Sequence, residues 1–355
     1  MLAKEVDLEN LSDRKREILF SSIEDYIKDA TPITSLGVQK KHLQNISSAT
    51  LRNELSALEA MGYLKQLHTS GGRIPTTKAY RLFVNELMKD TKFDKESLSA
   101  VRSIFTKRAV SLTDIVNSIA NVVSEATNYP AVIVLNGYEH LVLESIKIIP
   151  LIDGSGIVLL GTKSGIINNT INFSSSVTEE NCVDASNFLT NKFKGKTISS
   201  LIENMPQISQ ELNMEIKQYE NLFYNLVDCL KNLSETKQNV YSSGMTKLLN
   251  EPEYKDVETV KQVLNLLEDD KKIQDIMTDN QDDSEISFTI GTENKDEVLG
   301  KCSVVKANYK VNGESVASIG VIGPERMDYS KTANALKFIV DELKKINMLT
   351  EKEDK

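Results

Sequence analysis

Between Ser47 and Pro75 the chain changes periodicity in a way that few folds accommodate. Leu51, Leu55 and Leu58 repeat at helical spacing behind a cap at Ser47 or Ser48, and Gly62 closes the run with the residue that most readily takes a left-handed stop. Tyr63 to Leu67 then alternates as a short strand, Thr69-Ser70-Gly71-Gly72 turns, and Arg73-Ile74-Pro75 returns. The pattern predicts a helix followed at once by a β-wing. Two helices are predicted ahead of it. One follows the N-cap Ser12, buries Ile18, Leu19, Ile23, Tyr26 and Ile27, and stops at Thr31-Pro32; the other runs from Ser35 to about Leu43, with Gln44 to Ile46 as a turn. Thr76 or Thr77 caps a fourth helix with Tyr80, Phe83, Val84 and Leu87 inside.

The third of these helices, Ser47 to Met61, has an unusual outer side. Opposite the leucines lie Ala49, Asn53, Ser56, Ala57 and Ala60, flanked by Thr50 and Arg52. Small residues let a helix approach a major-groove floor, while Asn pairs with adenine and Arg with guanine or phosphate. A solvated face of small residues is the other reading of this helix taken alone. The wing turns the balance toward DNA: His68, Thr69, Ser70 and Arg73 would offer hydroxyls, N–H groups and a cation to phosphates or the minor groove. Candidate DNA-binding residues are therefore Ser47, Ser48, Thr50, Arg52, Asn53, Ser56, His68, Thr69, Ser70 and Arg73.

Net charge speaks against this at first. The whole chain of 355 residues carries −9, which disfavours a nucleic-acid partner. Val38 to Arg81, however, holds seven bases (Lys40, Lys41, Arg52, Lys65, Arg73, Lys78, Arg81) against Glu54 and Glu59, a local +5. Residues 91–355 carry −10. The distribution places positive charge on the segments expected to face DNA.

Catalytic chemistry finds no foothold. The histidines are His42, His68 and His140, with no nucleophile elbow, no metalloprotease motif and no phosphate-binding loop. Cys182, Cys229 and Cys302 are far apart, so neither a disulfide framework nor a zinc site is expected, and no cofactor is implied. No signal peptide or membrane span is read, and a reducing cytoplasm fits.

Past the fourth helix the pattern is helical from Phe93 to Asn128. Strands are predicted at Ala131–Leu135, Leu141–Ile149, Gly156–Thr162 and Ile166–Phe173, and again at Ile286–Ile290, Cys302–Lys310 and Ser315–Ile322, with a last helix over Lys331–Ile346. Thr178 to Thr278 reads as almost wholly helical. This order predicts an α+β sheet domain interrupted by a helical insertion. Within the insertion Leu212, Ile216, Tyr219, Phe223, Leu226, Leu230 and Leu233 repeat at heptad spacing, either as a dimer seam or as an internal helix face. Gly323 to Tyr329 and Gly291 to Asn294 are distinctive polar stretches, read as turns or domain contacts rather than ligand sites. In the first, Arg326 would pair with a carboxylate and Asp328 or Ser330 would cap the last helix.

The runs SSATLRNELSALEAMGYLKQLHTSGGRIPTTKAYRLFV, YSSGMTKLLNEPEYKDVETVKQVLNLLED and IGVIGPERMDYS resemble, in the same order, the heat-inducible transcription repressor HrcA family. The chain departs from the family pattern at Leu36, Ser48, Gly71 and Ala79. The resemblance implies a winged helix-turn-helix over 1–92, a GAF-like domain in two segments over 93–177 and 283–350, and an inserted dimerisation domain over 178–282 that uses Leu212, Ile216, Tyr219, Phe223, Leu226 and Leu230. It further implies a homodimeric, non-enzymatic repressor that binds double-stranded DNA at an inverted-repeat operator of the CIRCE type, upstream of chaperone genes, and that depends on the chaperonin GroEL. A metabolite-responsive regulator with the GAF-like domain as sensor is the alternative.

Overall fold

The computed structural model describes residues 11–67, 71–90, 112–135, 141–151, 154–162, 165–172, 177–213, 240–278, 284–311 and 314–352. Its N-terminal unit is built from α1 (Asp13–Asp29), α2 (Ser35–Lys41), α3 (Ser48–Ala60), the hairpin β1 (Leu64–Gln66) and β2 (Arg73–Pro75), and α4 (Thr77–Asp90). Ser12 accepts from the Lys15 amide, and Ala30 in the left-handed region ends α1 just before Thr31-Pro32. Gly62 has φ of +78°, the conformation for which its lack of a side chain suits it, and it turns α3 into β1. Of the two expected caps, Thr76 stands just ahead of α4, its carbonyl accepting from the Tyr80 amide at 3.1 Å, while its hydroxyl donates to the carbonyls of Gly62 and Tyr63 at 2.7 and 3.1 Å and pins this corner. Ile18, Leu19, Ile23, Leu51, Leu55, Leu58, Tyr63 and Tyr80 form the buried centre.

After α5 (Leu112–Thr127) comes β3 (Ala131–Leu135), an interior strand of an antiparallel five-stranded sheet. Its order is β7 (Val240–Ser243), β3, β10 (Glu314–Pro324), β9 (Cys302–Val311), β8 (Ile286–Ile290). One face packs Ala131, Ile133, Val305, Ile319 and Val321 with Val123 of α5 and with Leu336, Ile339 and Val340 of α10 (Tyr329–Lys352). The other packs Val132, Val134, Val304 and Ile322 with α8 (Val257–Leu267) and α9 (Asp270–Thr278). Cover on both sides explains why β3 is buried at every position and reads as a continuous apolar run. Asp328 caps α10 by accepting from the Lys331 amide at 2.9 Å.

The remaining strands, β4 (Leu143–Pro150), β5 (Ser155–Thr162) and β6 (Gly165–Asn172), form a separate antiparallel meander. Over it lies α6 (Glu179–Phe193), followed by α7 (Ile198–Asn213). The outer edge of β4 would be a row of open amides and carbonyls, and α6 closes it. Ser186 Oγ accepts from the Ile148 amide, and Thr190 Oγ1 both accepts from the Ile146 amide and donates to its carbonyl, at 2.9 to 3.0 Å.

Strand pairing changes sheet at other points than 178 and 283, the expected bounds of the insertion. The large sheet is left after β3, because β4 to β6 pair with one another and not with it, and it is rejoined at β7 rather than at β8. Thr178 to Thr278 is accordingly not wholly helical: β7 and a 3₁₀ stretch through Met245–Asn250 interrupt it. Periodicity reports what an element is but not which sheet takes it, and the four residues Val-Tyr-Ser-Ser carry too short an alternation to stand out.

Candidate nucleic-acid interface

α3 is positioned from both ends. Ser47 Oγ accepts from the Thr50 amide at 3.1 Å and shares a 2.9 Å hydrogen bond with the Thr50 hydroxyl, so two candidate contact residues also start the helix. Ser48 shares a 3.1 Å hydrogen bond with Ser35 at the start of α2, and Gln39 donates to the Ile46 carbonyl in the turn. These bonds fix α3 against α2 in a helix-turn-helix. Beneath α3, Leu51, Leu55 and Leu58 are each 0% exposed. Glu54, on its flank, pairs with Lys15 of α1 at 3.1 Å.

The opposite side of α3 is open. Ala49, Asn53, Ser56 and Ala60 are exposed, as is Arg52 on the flank, while Ala57 of the expected face and Thr50 of its flank are half-buried. The side chains of Arg52 and Asn53 have no hydrogen-bond partner among the described residues. Ser56 is engaged: it donates to the Arg52 carbonyl at 2.9 Å and accepts from Arg73 Nη2 at 3.0 Å. Arg73, expected to reach outward from the wing, turns its guanidinium onto α3 and donates from Nε to Glu59 at 2.8 Å. Its backbone also pairs with Ile33, which adds the α1–α2 connection to the wing as a third strand-like edge. The wing tip residues His68, Thr69 and Ser70 lie outside the described residues. So do Ile216, Tyr219, Phe223, Leu226, Leu230 and Leu233 of the heptad; Leu212 falls in α7.

The seven bases behind the local +5 divide into two groups. Lys41 pairs with Asp25 and Asp29, Arg73 with Glu59 and Arg81 with Glu293. Lys78 donates to the Met61 carbonyl and stands 4.4 Å from the centre of the Tyr63 ring. Lys40, Arg52 and Lys65 make no ion pair among the described residues. The bond from Lys41 holds the Asp29 carboxyl below its ordinary range. Sequence clustering thus overstated the charge on the reading side, because helical spacing cannot tell an outer face open to water from one another domain covers.

A helix-turn-helix whose third helix presents an open polar face beside a two-stranded wing defines the winged-helix class of DNA-binding transcription regulators. Residues 10–89 match the winged helix-turn-helix transcription repressor, HrcA DNA-binding, and residues 113–333 match the HrcA protein C terminal domain. The chain is 36% identical to a heat-inducible transcription repressor HrcA of Ruminiclostridium cellulolyticum, over 93% of this chain and 95% of that one. It is 35% identical to the HrcA of Acetivibrio thermocellus, over 94% and 95% of the two chains. The chain belongs to the HrcA family of heat-inducible transcription repressors, and it is a repressor rather than an enzyme. A solved crystal structure described only as a hypothetical protein shares the fold, with a TM-score of 0.68 at 21% identity over 95% of this chain and 98% of that one. No helix among the described residues is long and apolar enough to cross a membrane.

Proposed function

We propose that this repressor reads an inverted-repeat operator of the CIRCE type as a homodimer, in the cytoplasm, and thereby controls chaperone genes. The observation that carries the reading is the pair Arg52 and Asn53, both exposed and uncommitted on the face of α3 opposite three fully buried leucines. α3 enters the major groove, where Arg52 and Asn53 meet base edges, with Thr50 and Ser56 beside them. Ser47 and Ser48 bring the positive end of α3 toward a phosphate. Arg73 holds the wing on α3, so that His68, Thr69 and Ser70 reach the flanking backbone or minor groove.

A twofold protein squares the discrimination of a single half-site, which is the physical reason for a dimer here. Family membership supports a dependence on GroEL. A repressor that folds only with help from the chaperonin loses activity when damaged clients occupy it, and transcription then rises.

Selection of bound DNA from a random library tests the core of this reading. An inverted repeat is expected; enriched sites without twofold symmetry would overturn it. Leu226→Asp is expected to give monomers by light scattering. Adding GroEL to refolding repressor should raise the fraction that binds operator, and excess unfolded client should reverse the gain.

A further inference from the structure

Two polar stretches have no part in reading DNA: Gly291 to Asn294 after β8, and Gly323 to Tyr329 after β10. The fold brings them together against the winged helix. Thr77, at the start of α4, donates to Glu325 at 2.7 Å. One turn on, Arg81 donates from Nε to Glu293 at 2.7 Å, and from Nη2 to the same carboxylate and to the Phe288 carbonyl. Gly291 has φ of +49°, and a Cβ there would lie 1.6 Å from a Glu325 oxygen and 2.6 Å from the Thr77 hydroxyl, so a side chain would displace the carboxylate that Thr77 holds. Between these bonds the rings of Tyr80 and Tyr329 stand 6.0 Å apart, and Phe288 packs on Tyr329 at 6.3 Å.

A second attachment lies at the end of α1. The last carbonyls of a helix have no partner within it, and Ile27 is in that last turn. Arg326, with a side chain 8% exposed, donates from Nη1 to the Ile27 carbonyl at 3.0 Å. The rest of its fork holds Glu251 at 2.5 Å and Glu253 at 2.6 and 3.1 Å, both from the segment that follows β7. One guanidinium thus ties three stretches of chain, which a lysine, with its single ammonium, cannot do in the same plane.

Attachment at the start of α4 and again at the end of α1 blocks rotation of the winged helix about either point, and the aromatic centre blocks separation. We infer that this joint sets the direction in which α3 leaves the body, and so sets the half-site spacing that a dimer can read, with Arg81 and Arg326 as positioning residues. The inference rests on the dimeric reading above. A rigid arm places the second reading helix at one distance and one helical phase; a loose arm spreads its effective concentration over many.

The test uses the full chain, DNA carrying one half-site, and inverted repeats whose spacer is varied about the length found by library selection. Arg81→Met removes one of the attachments, the bonds to Glu293 and to the Phe288 carbonyl; Glu293 is 33% exposed and keeps the Ile290 amide at 2.8 Å, so the fold is retained. Arg326→Lys keeps the charge and loses the fork. Both variants are expected to bind the single half-site within about twofold of the parent. Preference for the best spacer over one lengthened by about five base pairs, half a helical turn, should fall from tenfold or more to under threefold. An unchanged spacer profile in Arg81→Met would overturn the inference. So would equal losses on the half-site and the repeat together with a lowered melting temperature, since the joint would then only hold the fold. A parent without any spacer preference would sink the dimeric reading and this inference with it.

Discussion

The outer face of α3 and the joint between α4 and the sheet use the same chemistry to opposite ends. Both present arginines, hydroxyls and short polar side chains. At the joint Thr77 and the two arginines are spoken for: Arg81 by Glu293, Thr77 by Glu325, Arg326 by two carboxylates and a helix carbonyl. On α3, Arg52 and Asn53 face outward uncommitted. A group already bonded within the chain must break those bonds before it can serve a ligand, so composition alone does not mark an interface. Commitment of the side chains does.

The largest expected effect removes the floor beneath the open face. Leu55 is fully buried, and Leu55→Ala should cost about 2–5 kcal/mol of winged-helix stability. Calorimetry should show an early transition for that unit while the sheet domain melts as before, and a single unshifted transition would contradict the packing. Next in size, Asn53→Ala and Arg52→Ala should each weaken specific binding by about 1–3 kcal/mol with relaxed sequence preference, in a gel-shift titration. Arg52→Ala, which removes a free cation from the DNA-facing side, should also lower the salt dependence of binding, whereas Arg81→Met should leave that slope alone. Equal slopes for the two variants would break the distinction between free and committed cations.

A smaller loss, about 1 kcal/mol, is expected from Ser47→Ala, because the Thr50 amide loses its acceptor at the start of α3. Denaturant unfolding measures it. The smallest effect probes the joint through pH. Burial is the main influence that raises the Glu325 carboxyl above its ordinary range, ahead of the opposing bond from Thr77 and the charge of Lys65. A carboxyl whose folded value is raised destabilises the fold above that value, and the penalty disappears as pH falls below the unfolded one. Glu325→Gln keeps the acceptor for Thr77 and removes the charge, so it should raise the melting temperature slightly at pH 8 and leave it unchanged near pH 3. A gain that persists in acid would assign the effect to packing instead.

Much of the winged helix was legible because its signals are local. The Ser12 and Ser47 caps, the left-handed Gly62 and the leucine stripe each act within a few residues of themselves, and each stands where spacing put it. The exposed residues Ala49, Asn53, Ser56 and Ala60, with Arg52 beside them, followed from the same period, which also placed the half-buried Ala57 among them. Arg73 shows where such reading stops. As a wing residue it looked like a phosphate ligand, but its register opposite Gln66 swings it over α3, where Glu59 and Ser56 compete for it. β7 was missed for a related reason, since four residues become a strand only because β3 offers an open edge.

Local chemistry therefore settled the elements of the winged helix and which family the chain belongs to, but not β7. Tertiary structure alone decided which of the polar groups remain free. Ile27 and Arg326 are 299 residues apart, and Arg81 and Glu293 are 212 apart. No periodicity links positions at that range, because what joins them is the packing of a winged helix onto a sheet, a contact written in shape rather than in spacing.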